Sequence, residues 1–270
     1  MNKNELDLAA NCMAKYDILL AKQQPQQTTI DTPEIFQVIN PGLPTESHNT
    51  VLRTNFSKEQ ASARIKEVIA SFSKLGLPFR WAVKPDSRPE NLAELLQAEG
   101  PVEITHARGF AVSCADIKPA PGGITTEELS AANLEEFILA ASESYEASER
   151  RMANALNLLS REALKNPNPD LIHFLVRLNG QAAGFGRLRV INADGVSAGY
   201  IGAFGVRKDF RKRGVFTAIL ARFAELLKER SIPVLLSQVR EETNAPLLRK
   251  LGWQELGLTH YYYFPAQPAK

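Results

Sequence analysis

The residues best suited to chemistry lie in one short run, Arg207-Lys208-Asp209-Phe210-Arg211-Lys212-Arg213-Gly214. Val196 to Val206 before it reads as an apolar strand. After it, Val215, Ile219, Phe223 and Leu226 share a helical face with Leu220 and Leu227. A helix N-terminus presents unpaired N–H groups and the positive end of the backbone dipole, which together hold phosphates. Gly214 supplies a backbone conformation that a Cβ would obstruct. Arg211, Lys212 and Arg213 add charge beside those amides, so Arg211 to Thr217 reads as a cradle for a pyrophosphate. Taken alone, the basic run would suit a solvated or nucleic-acid-binding patch. Its place between a strand and an amphipathic helix favours phosphate.

The bulk numbers set the frame. A chain of 270 residues suggests two domains, and a 44% hydrophobic content allows each a real core. The balance of 32 basic and 30 acidic residues gives no overall pull toward nucleic acid or a membrane surface. Cys12 and Cys114 stand too far apart for metal-ligand spacing and are expected to be free thiols of a reducing cytoplasm. The N-terminus lacks the basic start and apolar core of a signal peptide, and no run approaches the roughly 20 apolar residues of a membrane span. A cytoplasmic protein without a metal is therefore expected.

The elements that must position the loop follow from periodicity. A helix is expected from Asn4 to Lys22, a surface loop over residues 22–34, and strands at Phe36–Ile39 and Thr50–Thr54. Ser57 with Gln60 reads as a capping box opening a helix that stops near Gly76. Strand FRWAV, helix PENLAELLQAEG and a strand pair over residues 102–117 complete the first half. The boundary falls in KPAPGGITT. Thr125 with Glu128 then reads as the start of a helical region running through Ala140 and again from Ser144 to Lys165. Strands follow at Leu171–Leu178, Gln181–Ile191 and Val196–Val206, with turns at Asn179-Gly180 and Asn192 to Gly195. After the loop helix come a strand at Pro233–Val239, a helix at Asn244–Leu251 and two strands from Trp253 to Phe264. The order helix, strand, helix, strands recurs in both halves, with Pro78 to Gly100 answering Pro233 to Gly252, as a duplicated domain would show.

Strand, Arg-x-x-Gly and helix together resemble motif A of the GNAT superfamily of acyl-CoA N-acyltransferases. Here the motif reads Arg211-Lys212-Arg213-Gly214-Val215-Phe216, with Val206 five residues before Arg211. NAPLLRKLGW resembles the family's motif B. The resemblance covers about residues 123 to 265. The first half resembles the degenerate N-terminal lobe of tandem GNAT proteins, in PGLPTESHNTVLR and RWAVKPDSRPENLAELLQAEG, but VLRTNFSKEQ carries no Arg-x-x-Gly turn. The resemblance implies an α/β (α+β) fold of two GNAT-like lobes, 1–118 and 123–270, each a mixed, mostly antiparallel sheet flanked by helices.

It also implies an acetyl-CoA-dependent N-acetyltransferase acting on an amine of a small molecule or peptide. Phe204, Gly205 and Val206 would pair with the pantetheine arm, and the Phe204 N–H would face the thioester oxygen. Arg211, Lys212, Arg213, Gly214, Val215, Phe216 and Thr217 would hold the pyrophosphate, and Asn244 is a further cofactor contact or a plain helix cap. Three positions depart from the family. Phe216 stands where Gly or Ala is usual, Leu248 where many members place a tyrosine acid, and Tyr200 where some carry a glutamate base. Tyr200, Ser237 and the run Tyr261 to Tyr263 are candidate replacements, and a water chain remains an equal choice. His173 and His260 read as structural histidines. An acyl-CoA-binding module without catalysis is the alternative function. A nucleic-acid-binding protein, the third reading, would show steep salt dependence.

Overall fold

The computed structural model describes residues 1–22, 27–146 and 150–266. The predicted loop at 23–26 and the predicted helix at 147–149 lie outside these. The first elements are α1 (Lys3–Lys22), β1 (Thr28–Asp31), β2 (Ile35–Ile39), β3 (Thr50–Thr54), α2 (Ala61–Lys74), β4 (Phe79–Val83), α3 (Leu92–Ala98) and β5 (Glu103–Ser113). Then follow β6 (Ile124–Glu128), α4 (Leu134–Ser144), α5 (Arg150–Lys165), β7 (Leu171–Leu178), β8 (Gln181–Ala193) and β9 (Val196–Val206). A 3-10 turn (Lys208–Phe210), α6 (Val215–Lys228), β10 (Val234–Arg240), α7 (Ala245–Lys250) and β11 (Gln254–Phe264) complete the chain.

Packing divides it into two compact units that interleave along the sequence. One comprises Met13–Phe110 with Gln238–Lys270, the other Met1–Cys12 with Ala111–Ser237. In the first, the strands run β1, β2, β3, β4, β11, β5. β3 and β4 are parallel, as the α2 crossover requires, whereas β11 lies antiparallel to β4 with His260 to Phe264 opposite Val83 to Phe79. One face carries α2 and α3. There Phe79 stacks between Phe72 and Phe264, with centroids 4.2 and 5.0 Å away, and Trp81 donates its indole N–H to Thr54 Oγ1 at 2.8 Å. Strand alternation sends Tyr262 into this core and Tyr261 and Tyr263 to the other face, with Phe36 and Ala21.

In the second unit β6, β7, β8 and β9 pair antiparallel in that order, and β10 joins β9 in parallel. The turns at Asn179-Gly180 and Asp194-Gly195 take positive φ at both residues, as a two-residue hairpin needs. α6 covers one face, where Phe223 meets Phe174 edge-on at 5.1 Å. α4 and α5 cover the other, Phe137, Ala140, Ala141 and Leu156 packing on Leu175, Ala182 and Phe185.

The structure corrects several expectations. Thr28 to Asp31, assigned to a loop, is a fully exposed edge strand on β2. Ser57 and Gln60 form no capping box: Gln60 is itself the cap of α2 without a side-chain bond, and Ser57 contributes only its carbonyl to Ala61. Residues 124–128 are strand β6, captured by the free edge of β7, and not a helix start. That start belongs to Asn133, whose amide accepts from Ser130 N–H at 2.8 Å and donates to Glu128 O at 2.9 Å. The expected strand pairs at 102–117 and 253–264 are each one long strand, β5 and β11.

Because Phe264 is part of the core built on Phe72 and Phe79, Phe264→Ala should lower unfolding stability by about 3 to 5 kcal/mol. Urea denaturation would measure it. A loss under about 1 kcal/mol would show that the last strand contributes little to this core.

Candidate functional site

The site begins with the two edges of β9. One edge pairs with β8 from Val196 to Val206, but the register slips where Arg187 faces Ala203 and Leu188 faces Ile201, leaving Gly202 as a bulge. The other edge meets β10 only at Gly199 and Tyr200, opposite Leu235 and Leu236. Beyond them, Gly202 is exposed and Ala203 to Val206 are half-buried. Among the described residues that stretch has no strand on its second edge, so its main chain can pair with an extended ligand.

The strand runs directly into the basic turn. After the 3-10 turn, Lys212 takes φ 60° and Gly214 takes φ 84°, and α6 starts at Val215. Gly214 is the cap residue and offers no side-chain acceptor, so the first N–H groups of α6 stay available for an anion. A Cβ at Gly214 would be strained by its φ and would stand 2.9 Å from Pro121 Cγ. At Gly205 a Cβ would lie 2.5 Å from Ser144 Cβ, so β9 and the end of α4 meet closely only because this residue is glycine.

The cations of the loop are held by α4 and its exit. Arg207 reaches Glu143 at 2.5 Å and the Ala182 carbonyl at 2.6 Å. Arg211 donates to the carbonyls of Ser144 and Val206 at 3.2 and 3.3 Å. Glu146 sits 2.7 Å from Lys208 and 3.8 Å from Arg211, and these cations hold its carboxyl below the usual range. The guanidinium of Arg213 lies over Phe210 at 5.7 Å. Phe216 is turned to Phe204, with ring centroids 5.2 Å apart.

The other predicted residues are more dispersed. Tyr200 and Ser237 are both buried. Tyr200 pairs with Leu236, so alternation puts Ser237 on the opposite face of the sheet from Tyr200. Asn244 belongs to the other packing unit. It caps α7 through its carbonyl, which accepts from Leu247 and Leu248, and its side chain makes no cap bond. Leu248 is buried, and α7 ends on Gly252 at φ 78° with Trp253 tucked in. Tyr261 donates to Gln238 Oε1 at 2.8 Å. His260 meets His106 through their Nδ1 atoms at 2.9 Å.

Sequence reading missed Arg187 and Arg189. In GFGRLRVIN the two arginines alternate with Leu188 and look like the solvent-facing residues of a strand. They are in fact buried, 9% and 6% exposed, on the face that carries α4 and α5. The available signal was the set of helices expected on either side of these strands in sequence, which here cover both faces of the sheet. Burial pulls Arg187 down to about 9 and Arg189 to about 10, so both remain cationic at neutral pH. His173, opposite Arg187 in β7, is driven down to about 3 by burial first and then by the two arginines, and is therefore neutral.

Residues 133–253 match the Acetyltransferase (GNAT) family. Solved structures similar in fold include a functionally unknown conserved protein from Staphylococcus epidermidis, 13% identical, with 94% of this chain and 99% of that one covered at a TM-score of 0.73. A GCN5-related N-acetyltransferase from Kribbella flavida is 15% identical, with 95% of each chain covered at 0.70. A tandem GNAT protein from the clavulanic acid biosynthesis pathway is 12% identical, with 100% of this chain and 97% of that one covered at 0.58. At these identities the likeness is one of fold. No curated protein matches this sequence.

Two measurements test this arrangement. The Glu146 carboxylate stands beside the cations of the proposed phosphate cradle, so Glu146→Gln should tighten coenzyme A binding several-fold by calorimetry. Unchanged or weaker binding would place the phosphates elsewhere. His173 is neutral in the fold down to pH about 3, while in the unfolded chain it protonates near 6.5. Its depressed value therefore makes the unfolded state bind more protons below pH 6.5. Stability should fall as pH drops from there toward 3, by up to about 1.4 kcal/mol per pH unit. His173→Phe should flatten that slope in denaturation curves taken across this range, and an unaltered slope would mean the imidazole charges without cost.

Proposed function

We propose that residues 133–253, a GNAT-family acetyltransferase domain, transfer the acetyl group of acetyl-CoA to a primary amine of a small molecule or peptide. The carrying observation is the continuity of two unfilled backbone features. The unpaired edge of β9 at 202–206 leads within one turn to the uncapped, glycine-started N-terminus of α6. An extended arm ending in a pyrophosphate has the shape to use both.

In this reading Phe204, Gly205 and Val206 pair with the pantetheine, and the Phe204 N–H donates to the thioester oxygen as charge builds there. Arg211 to Thr217 hold the pyrophosphate, with main-chain N–H groups from Gly214 onward doing most of the binding. Phe216 packs on Phe204 and so shapes the wall of the arm's channel. The amine attacks the carbonyl carbon, the C–S bond breaks, the nitrogen gives up a proton and the departing thiolate takes one. Tyr200 is the candidate for the nitrogen's proton, directly or through water. Ser237 and Asn244 are secondary candidates, for the thiolate and the cofactor respectively. No metal is needed for this chemistry.

Of the two proposed lobes, 1–118 and 123–270, the second binds the acyl donor. No helix among the described residues is long and apolar enough to cross a membrane. The buried thiols of Cys12 and Cys114, which form no disulfide and the latter of which is pushed up to about 11 by desolvation, favour a reducing compartment such as the cytoplasm.

Calorimetric titration with acetyl-CoA, run beside Gly214→Glu, tests the donor site. Micromolar binding by the wild type and none by a folded variant is expected. Equal affinity in the two proteins would sink the phosphate-loop assignment. Thiol release with a panel of amines then separates an enzyme from a module that only binds acyl-CoA, a reading that the buried, non-ionisable Leu248 favours.

A further inference from the structure

Two guanidiniums inside the acetyltransferase domain have no counter-charge among the described residues. Arg187 and Arg189 make no hydrogen bond to a described residue, neither has an ion pair among them, and the buried Nε of Arg187 has no partner. The same is true of Nε2 of His173, which stands opposite Arg187. A buried cation without a partner opposes folding, and it is kept where something else answers it. Two such cations, with a neutral imidazole whose Nε2 is also unpartnered, share one sheet face, and that points to a ligand rather than to the fold.

Their position says which ligand. Arg187, Arg189 and Phe185 alternate onto the face that carries α4 and α5, away from α6. Arg187 pairs with Ala203, one residue before Phe204, and its Cγ and Cδ lie 3.6 Å from where a Gly202 Cβ would be. Arg189 pairs with Tyr200. The two cations therefore flank the bulge from which β9 leaves its second edge open. Along a strand they stand about 6.6 Å apart, so two long side chains can converge on one small anion. The pyrophosphate is bound elsewhere in the proposed reading, at the start of α6, so this charge is free for the acceptor.

We infer that Arg187 and Arg189 receive a carboxylate carried by the acceptor, making the substrate class amino acids or related amines with a carboxylate close to the nitrogen. This rests on the acetyltransferase reading. Arginine suits the role because its planar fork meets a carboxylate through two parallel bonds. The neutral imidazole of His173 adds one more hydrogen-bonding atom without altering the charge balance. Binding the acceptor's acid end here leaves its amino group to reach the bulge, on the face that Tyr200 shares.

The test compares amino acids with their primary amides and with the matching decarboxylated amines, as acceptors from acetyl-CoA. The acids should be preferred through KM by about tenfold or more, the worth of a charge-assisted hydrogen bond. Arg187→Gln and Arg189→Gln should remove that preference, raising KM for the acids more than for the amides, and Arg189→Lys should restore part of it. Equal KM for acids and amides in the wild type, or an intact preference in both glutamine variants, would overturn the inference. Preference for an amine bearing a phosphate, such as phosphoethanolamine, over every acid would overturn it too. Should acetyl-CoA bind without any turnover, the acetyltransferase reading fails separately. Calorimetry of N-acetyl amino acids against their amides, on the CoA-saturated protein and the glutamine variants, still decides between a carboxylate receptor and none. Arg189→Met supplies a readout apart from activity. Relieved of an unpaired buried charge, it should raise Tm by a few degrees. A lowered Tm would mean that the fold itself holds the guanidinium, and would count against a ligand site.

Discussion

A strand has two edges, and the second unit depends on what β9 does with them. Its pairing with β8 runs the full length, which fixes the sheet, whereas its pairing with β10 stops after Gly199 and Tyr200. Parallel strands need a crossover, and α6 supplies it by packing Phe223 on Phe174 and setting Leu227 against Gly199. The helix must begin where β9 ends, so its uncapped N–H groups arrive at the end of the unpaired edge. In the proposed reading, main-chain donors for an extended arm and for its phosphates thus come from one topological decision. The basic side chains around Arg211 would then refine a site that the backbone already makes.

The same geometry explains which features could be read from sequence. The strand, turn and helix that carry the proposed phosphate loop were legible because their signal is local: an apolar strand, a glycine and an amphipathic helix within about one turn of each other. The hairpins at Asn179-Gly180 and Asp194-Gly195 were legible for the same reason. Features set by distant partners were not. Thr28 to Asp31 is polar and exposed throughout, and only the free edge of β2 makes it a strand. Thr125 and Glu128 fit a helix cap, yet the edge of β7 claims them. Residues 102–117 and 253–264 were each expected to hold two strands, where the sheet holds one. Nor can local pattern show that Gln238–Lys270 packs with Met13–Phe110, because β11 recognises β4 across most of the chain's length.

Buried charge was the least legible feature, because an arginine in a strand looks alike whether its face is wet or covered. The molecule itself provides the control. In the first unit Lys84 is half-buried, and Asp17 lies 2.6 Å from its ammonium and holds it above the ordinary lysine value. Arg80, also half-buried, lies 4.3 Å from the ring of Tyr261 and is likewise held up, although its Nε has no partner. The Lys84 ammonium is thus answered by a carboxylate of the fold, as burial ordinarily demands. Arg187 and Arg189 are more deeply buried, and desolvation pulls both down, with no carboxylate paired to either among the described residues. The chain therefore pairs a partly buried lysine with a carboxylate in one unit and, among the described residues, leaves two buried arginines without one in the other. The difference falls beside the β9 bulge, where the proposed chemistry needs a second substrate to be oriented. A fixed pair of cations there would be costly to the empty fold and useful only when an anion enters, which is how a binding site differs from a structural ion pair.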